Sequence, residues 1–336
     1  MNTLSIRTGF LKELHDGVIP SNLMEKIRGN NVGYGSDMLE PFPVLAGLKA
    51  EVQALDTTGS AIKCLEKNID SVLLVISSDH IIEHEDTVTL VSSPLNKRKV
   101  SDRLEHQIDP NIEFGCQPSA KSLGTAFFVK TAESAADKIF VGTAAHVVVG
   151  NSLDFYKIRF VSGFAFTDTN DFRNGIVLKK ENVFMPVPGK HNHKYHLSRM
   201  YSDWALIEVT QAYPTCIKPA ISMVNTFRFS GDIAVKDTVY SIGHGLGLPL
   251  KLVHNGHVSR MPKGFPYFEC TLGLLGGNSG SPVFCANTHQ LVGIYIRGTR
   301  KFVYDEKKGY MTIKNINNAK ENQECQLMDE LKYLLS

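Results

Sequence analysis

A serine set among glycines, Gly276-Gly277-Asn278-Ser279-Gly280-Ser281-Pro282, has the composition of a reacting centre. The glycines on either side of Ser279 let backbone amides crowd around it, where they can receive negative charge developing on a substrate carbonyl oxygen. A hydroxyl is inert until a base removes its proton, so Ser279 predicts a histidine and a carboxylate elsewhere in the chain. The strand-to-helix elbow Gly-x-Ser-x-Gly is disfavoured: position 281 is serine, and the one histidine that follows, His289, lies in a polar turn. The base is therefore sought earlier. His146 stands apart, because Gly142-Thr143-Ala144-Ala145 leads into it from an apolar run and leaves room for a substrate and an acid. Asp203 heads the run Trp204-Ala205-Leu206-Ile207-Glu208-Val209, which predicts a carboxylate at the end of a buried strand. Asp154, Asp168 and Asp171 are alternatives in or beside polar loops, where turn chemistry explains them.

The elements that must position these residues read as β. From about residue 114 the chain breaks into short β-branched and aromatic runs separated by turn residues, at 124–130, 139–142, 156–161, 204–209, 238–242, 252–258, 267–271, 282–285 and 291–296. That alternation predicts a sandwich or barrel of roughly two hundred residues. Upstream, Leu45, Leu48, Val52, Leu55, Ile62 and Leu65 recur at helical intervals across 44–68, with an interruption at Gly59. Residues 72–77 and 87–91 suit strands, and 92–110, with Pro94, Pro110 and many charges, reads as a connector. At the end, 322–335 returns to helical spacing, with Leu327, Leu331 and Leu334 on one face. The expected division is an N-terminal, mostly helical (α or α+β) region at 1–105 and a mainly β domain with a C-terminal helix at 106–336.

Three stretches together, Thr143-Ala144-Ala145-His146, Asp203-Trp204-Ala205-Leu206 and Gly277-Asn278-Ser279-Gly280-Ser281-Pro282, resemble the signatures of chymotrypsin-like serine proteases, in the same order. Gly124-Thr125-Ala126-Phe127-Phe128-Val129 resembles the family's opening strand, so the likeness spans roughly residues 115–298. It implies a double β-barrel, a His146–Asp203–Ser279 triad, and an oxyanion hole formed by the amides of Gly277 and Ser279. Asn278, where many relatives carry an aspartate, resembles the bacterial glutamyl endopeptidase and HtrA-type branch and argues against activation by a newly cut amino terminus. By the family's offsets, the specificity pocket falls at Gly273, Leu274, Tyr295 and Arg297. Gly273 offers no charge for Arg or Lys, and Leu274 and Tyr295 weaken a Glu preference that an inward Arg297 would restore. An apolar residue of modest size beside the cut is the expectation.

Composition excludes little else. The chain has 336 residues, a net charge of +2, 43% hydrophobic and 21% charged residues, an ordinary globular balance without a concentrated basic face for nucleic acid. Lys97-Arg98-Lys99 reads as a solvated linker. No secretory leader or apolar run of membrane-spanning length is seen, and the six cysteines lack paired metal or redox spacing. These features suggest reduced thiols and a cytoplasmic protein, and the resemblance to the bacterial branch implies one resident in a bacterium or delivered into a host cell. His191, His193 and His196 read as a flexible loop rather than a metal site, and Gly243-His244-Gly245-Leu246-Gly247 lacks the Lys and Ser/Thr of a phosphate loop. No metal or cofactor is expected. The reading is a serine endopeptidase acting on a protein or peptide, with an N-terminal region that restrains it, recruits a partner or merely packs. The rivals are a catalytically silent peptide-binding scaffold on the same fold, and an esterase with the same triad.

Overall fold

Residues that alternate between two apolar environments build this protein. In a strand successive side chains point to opposite faces, and here both faces are often covered. Along Ser122–Val129, Ala126 and Phe128 enter one core cluster while Phe127 and Val129 enter another. Along Ser202–Gln211, Ala205 and Ile207 join the first of these, whereas Trp204 and Leu206 join the second. The two clusters are the inside of a barrel and the seam between two barrels.

The computed structural model describes residues 64, 67–101, 104–110, 115–131, 138–149, 154–165, 175–189, 193–198, 202–213, 221–298, 302–313 and 323–335. The first barrel runs Val183–Pro186, Ile158–Val161, Val72–Ser77, Ser122–Val129, Ile139–Thr143, Ser202–Gln211, and the last strand pairs back onto the first. The second is a closed barrel of Thr238–Gly243, Lys251–Arg260, Tyr267–Cys270, Gln323–Leu327, Leu291–Arg297 and Pro282–Cys285. All of these pairings are antiparallel. Inside the first barrel, Phe128 meets Phe184 edge to face at 4.9 Å. Each such fully buried ring contributes about 1.5–3 kcal/mol by leaving water. Phe127, Tyr240, Phe284, Ile294 and Leu331 fill the seam.

The double barrel agrees with the fold expected from the sequence; four local expectations do not. The boundary at 105/106 cuts into the first barrel, because Val72–Ser77, buried throughout, pairs on one side with Ser122–Val129 and on the other with Ile158–Val161. The supposed connector carries a two-stranded pairing of Ser92–Pro94 with Pro118–Ala120 and a hairpin of Lys99–Ser101 with Leu104–Gln107. The C-terminal stretch starts as the barrel strand Gln323–Leu327 and turns helical only at Met328–Leu331 and Lys332–Leu335, since pairing with two neighbouring strands overrides its helical spacing. Finally, His193–Ser198 is a strand paired with Ser202–Ile207, where a loop was expected. Nearly all of the N-terminal helical expectation, 1–63 included, lies outside the described residues; Lys67–Asp70 is helical.

Candidate active site

His146 sits in the one-turn helix Ala145–Val148, which begins where Ile139–Thr143 leaves the first barrel. Asp203 is the second residue of Ser202–Gln211, the strand hydrogen-bonded to Ile139–Thr143. Two neighbouring strand ends thus bring an imidazole and a carboxylate together. Asp203 Oδ2 lies 2.6 Å from His146 Nδ1, and Asp203 Oδ1 accepts the His146 backbone N–H at 3.0 Å. This two-point grip orients the ring, puts its proton on Nδ1, and leaves Nε2 as the acceptor.

Ser279 belongs to a loop whose backbone hydrogen bonds are spent selectively. Asn278 N–H closes on Leu275 O, Ser281 N–H on Asn278 O, and Gly280 N–H donates to Tyr295 O at 2.8 Å. The Gly276 carbonyl is turned aside to accept Leu246 N–H at 2.6 Å, so the other side of that peptide, the Gly277 N–H, faces the opposite way. Among the described residues, the Gly277 and Ser279 amides meet no acceptor. Gly277 lies at φ +90°, and a Cβ there would stand 2.8 Å from Leu246 N and 2.9 Å from His244 O. Only glycine fits that turn.

Contacts across the seam hold this loop against His146. Thr125 is the centre of them: its N–H donates to Ser279 O at 2.8 Å, and its Oγ1 donates to Gly277 O at 2.8 Å while accepting His244 N–H at 3.0 Å. Thr143 Oγ1 donates in turn to Thr125 O at 2.7 Å. A Cβ on Gly280 would fall 2.1 Å from both Thr125 O and Thr143 Oγ1 and 3.0 Å from Ala144 N. A Cβ on Gly124 would fall 2.7 Å from Ser279 O and from Val147 Cγ2. Gly280 thus packs directly on Thr143-Ala144 just before His146, and Gly124 lies between Val147 and the main chain at Ser279.

The segment Gly243-His244-Gly245-Leu246-Gly247 backs the serine loop. Gly243 and Gly245 leave space for the buried Asn278 side chain, whose amide would lie 2.6 and 2.5 Å from a Cβ at those positions. The ring of His244 stacks on Phe164 at 5.5 Å, with Nδ1 3.0 Å from Leu248 O. Burial holds this histidine neutral, with its pKa pushed down to about 4. His289 is also buried, 3.1 Å from the Tyr240 hydroxyl, and burial likewise lowers its pKa to about 4. Neither histidine belongs to the Ser279 site.

Of the residues expected in a specificity pocket, Leu274 and Tyr295 are buried in one cluster with Cys270 and Cys325. Cys270 and Cys325 are free thiols with sulfurs 3.6 Å apart. The Tyr295 hydroxyl approaches Gly298, where a Cβ would stand 2.8 Å from it. Gln323, missed in the sequence, fastens Leu274 through its side-chain amide to Leu274 N–H at 3.1 Å and Leu274 O at 3.0 Å. Gly273 borders Leu274 in the same stretch and is half-buried. Arg297 is half-exposed and its Nε donates to Glu324 Oε2 at 2.6 Å, so its charge is answered across the strand pair. His193 and His196 are three apart on one strand and point to opposite faces, and His191 lies outside the described residues. Among the described residues no group of three or more His, Cys, Asp or Glu is placed to hold an ion, and no helix is long and apolar enough to cross a membrane.

No curated protein matches the sequence. Solved structures that match this chain include an inactive form of Rv3671c from M. tuberculosis H37Rv, at 12% identity and TM-score 0.39, covering 81% of this chain and 88% of that one. Another is the HtrA-type protease AlgW with a decapeptide, at 16% identity and TM-score 0.40; 80% of this chain is covered but only 63% of AlgW. Deg5 matches at 12% identity and TM-score 0.42, over 81% of this chain and 90% of its own. The trypsin-like peptidase domain matches as a family over residues 124–294, half of the chain, which begins at the opening strand and takes in His146, Asp203 and Ser279. The chain belongs to the trypsin-like peptidase family.

Proposed function

We propose that the protein is a serine endopeptidase in which His146, Asp203 and Ser279 act as base, orienting acid and nucleophile. The observation that carries this reading is the 2.6 Å contact of Asp203 with His146 Nδ1, beside a serine flanked by two amides without an acceptor among the described residues. His146 Nε2 takes the Ser279 Oγ proton as Oγ attacks the scissile carbonyl carbon. The carbonyl oxygen, now negative, is received by the N–H groups of Gly277 and Ser279. Asp203 stabilises the imidazolium; that ring then protonates the leaving amine, the C–N bond breaks, and an acyl-enzyme is left. Water, deprotonated by the same nitrogen, repeats the attack and releases the acid.

The side chain next to the cut is an apolar one of modest size. Leu274 and Tyr295, at the positions the family's offsets give to the pocket, carry no charge, and Glu324 answers the charge of Arg297, which disfavours an acidic preference. Labelling with a serine-directed fluorophosphonate tests the reading: wild type is labelled and cuts peptides, and Ser279→Ala does neither. Well-folded wild type that takes no label would instead favour a silent peptide-binding scaffold. Labelled protein that hydrolyses esters but no peptide bond would make it an esterase. The chain preceding Val72–Ser77 is proposed to restrain or recruit, since an unrestrained endopeptidase would damage its surroundings.

A further inference from the structure

The Asp203 carboxylate is bonded by His146 alone among the described residues, one oxygen to the ring and one to the backbone N–H. Its position therefore depends on where the main chain at 203 is held, and that main chain is held from the other barrel. Gln326, fully buried in Gln323–Leu327, accepts the Asp203 N–H through Oε1 at 3.0 Å, while its Nε2 donates to Pro266 O at 2.8 Å. Four residues on, in the turn Met328–Leu331, the Glu330 carboxylate accepts Ser202 Oγ–H at 2.6 Å and Trp204 Nε1–H at 2.7 Å. Ser202 and Trp204 flank Asp203 and point to the strand face opposite its side chain. Bonds to a charged acceptor are roughly twice as strong as neutral ones, so this grip is a firm one. Apolar contact completes it, since Met328, Leu331 and Leu334 share the seam cluster with Trp204 and Leu206.

Resting on the reading of Asp203 as the catalytic acid, we infer that Gln326 and Glu330 are positioning residues. The C-terminal segment reaches out of the second barrel as a clasp around Ser202-Asp203-Trp204, and the acid is in place only when that clasp is closed. The second barrel thus sets both the nucleophile and, through the clasp, the acid that stands in the first. His196 Nδ1, 3.8 Å from Glu330 Oε2 and on the strand paired to Trp204, is the ionisable group facing the clasp from that side.

Two readouts on the full chain test this. The first is the low-field proton resonance of the His146 Nδ1–H, which reports the His146–Asp203 bond whether or not the protein cuts anything. The second is the rate of fluorophosphonate labelling against pH, taken well below each variant's Tm. Wild type is expected to show the low-field proton and Asp203→Asn to lose it. Glu330→Ala and Gln326→Met are expected to shift or lose it, to label about 10²-fold more slowly, and to move the acidic limb of the profile to lower pH as the imidazolium loses support. Glu330→Gln, which keeps its volume and one acceptor oxygen, is expected to fall between, and it carries the test if the alanine variant does not fold. An unchanged proton and pH profile in folded Glu330→Gln and Gln326→Met, with or without a lower Tm, would overturn the inference. Wild type that shows the proton but takes no label would remove the protease reading and leave the clasp standing.

Discussion

Gly277 and Thr125 carry the burden of placing the proposed oxyanion hole, Gly277 through its backbone N–H and Thr125 through the bonds that hold the loop. Gly277→Ala forces a Cβ toward Leu246 N and His244 O at a backbone φ of +90°, so the turn must move and withdraw one amide. Losing one such donor costs about 3–4 kcal/mol of barrier. Steady-state kinetics should accordingly show kcat lower by about 10²–10³-fold with KM little changed. Thr125→Val keeps the shape but leaves Gly277 O and His244 N–H without the Oγ1 that served both. Unmaking buried bonds of this kind costs about 1–3 kcal/mol each, so a lower Tm and a lower kcat should appear together, with Thr125→Ser retaining most of both. Arg297→Ala is expected to leave the preference beside the cut unchanged in a peptide-library profile. A switch away from acidic residues in that variant would mean Arg297 faces the pocket.

At the scale of elements, the loops behind the site hold charge at bay. His244, in the turn beside Asn278, and His289, after Pro282–Cys285, are both buried and kept neutral down to about pH 4, against an ordinary value of 6.5. Unfolding exposes them, and the unfolded chain then binds protons the folded one refuses. Stability from these two groups is therefore complete above about pH 6.5 and falls as the pH drops toward 4, on the order of 1 kcal/mol per pH unit for each. Thermal melts across that window should show Tm declining with acid more steeply than in His289→Asn, which cannot take up the proton. A Tm that stays level from pH 6.5 to 5 would mean the rings are solvated.

For the whole molecule, the strand Val72–Ser77 decides where the double barrel begins. A chain cut at residue 105 lacks the strand between Ser122–Val129 and Ile158–Val161, and the first barrel cannot close without it. Asn68 adds a second tie, donating to Tyr240 Oη and to His289 O in the other barrel. A version starting at residue 64 is expected to be soluble with native-like circular dichroism, and one starting at 106 to be insoluble. Comparing the former with the full chain then isolates the role of the preceding residues. Faster peptide cleavage would indicate restraint, and lost cleavage of protein with peptide turnover intact would indicate recruitment.

What the sequence determined by itself was local chemistry and local pattern. Ser279 among glycines, His146 after small residues and Asp203 at the head of an apolar run are each readable because the flanking residues report immediate surroundings. Short β-branched and aromatic runs between turn residues likewise announced most barrel strands. Tertiary structure alone decided matters that depend on residues far apart in the chain. Gln323–Leu327 is a strand because two partners border it, although Leu327 stands at helical spacing from Leu331 and Leu334. His193–Ser198 is ordered by its pairing with Ser202–Ile207, not by its own composition. Thr125, Gln326 and Glu330 carry no signature, since a hydroxyl, an amide or a carboxylate becomes a positioning group only when folding sets it across a seam from the backbone it holds.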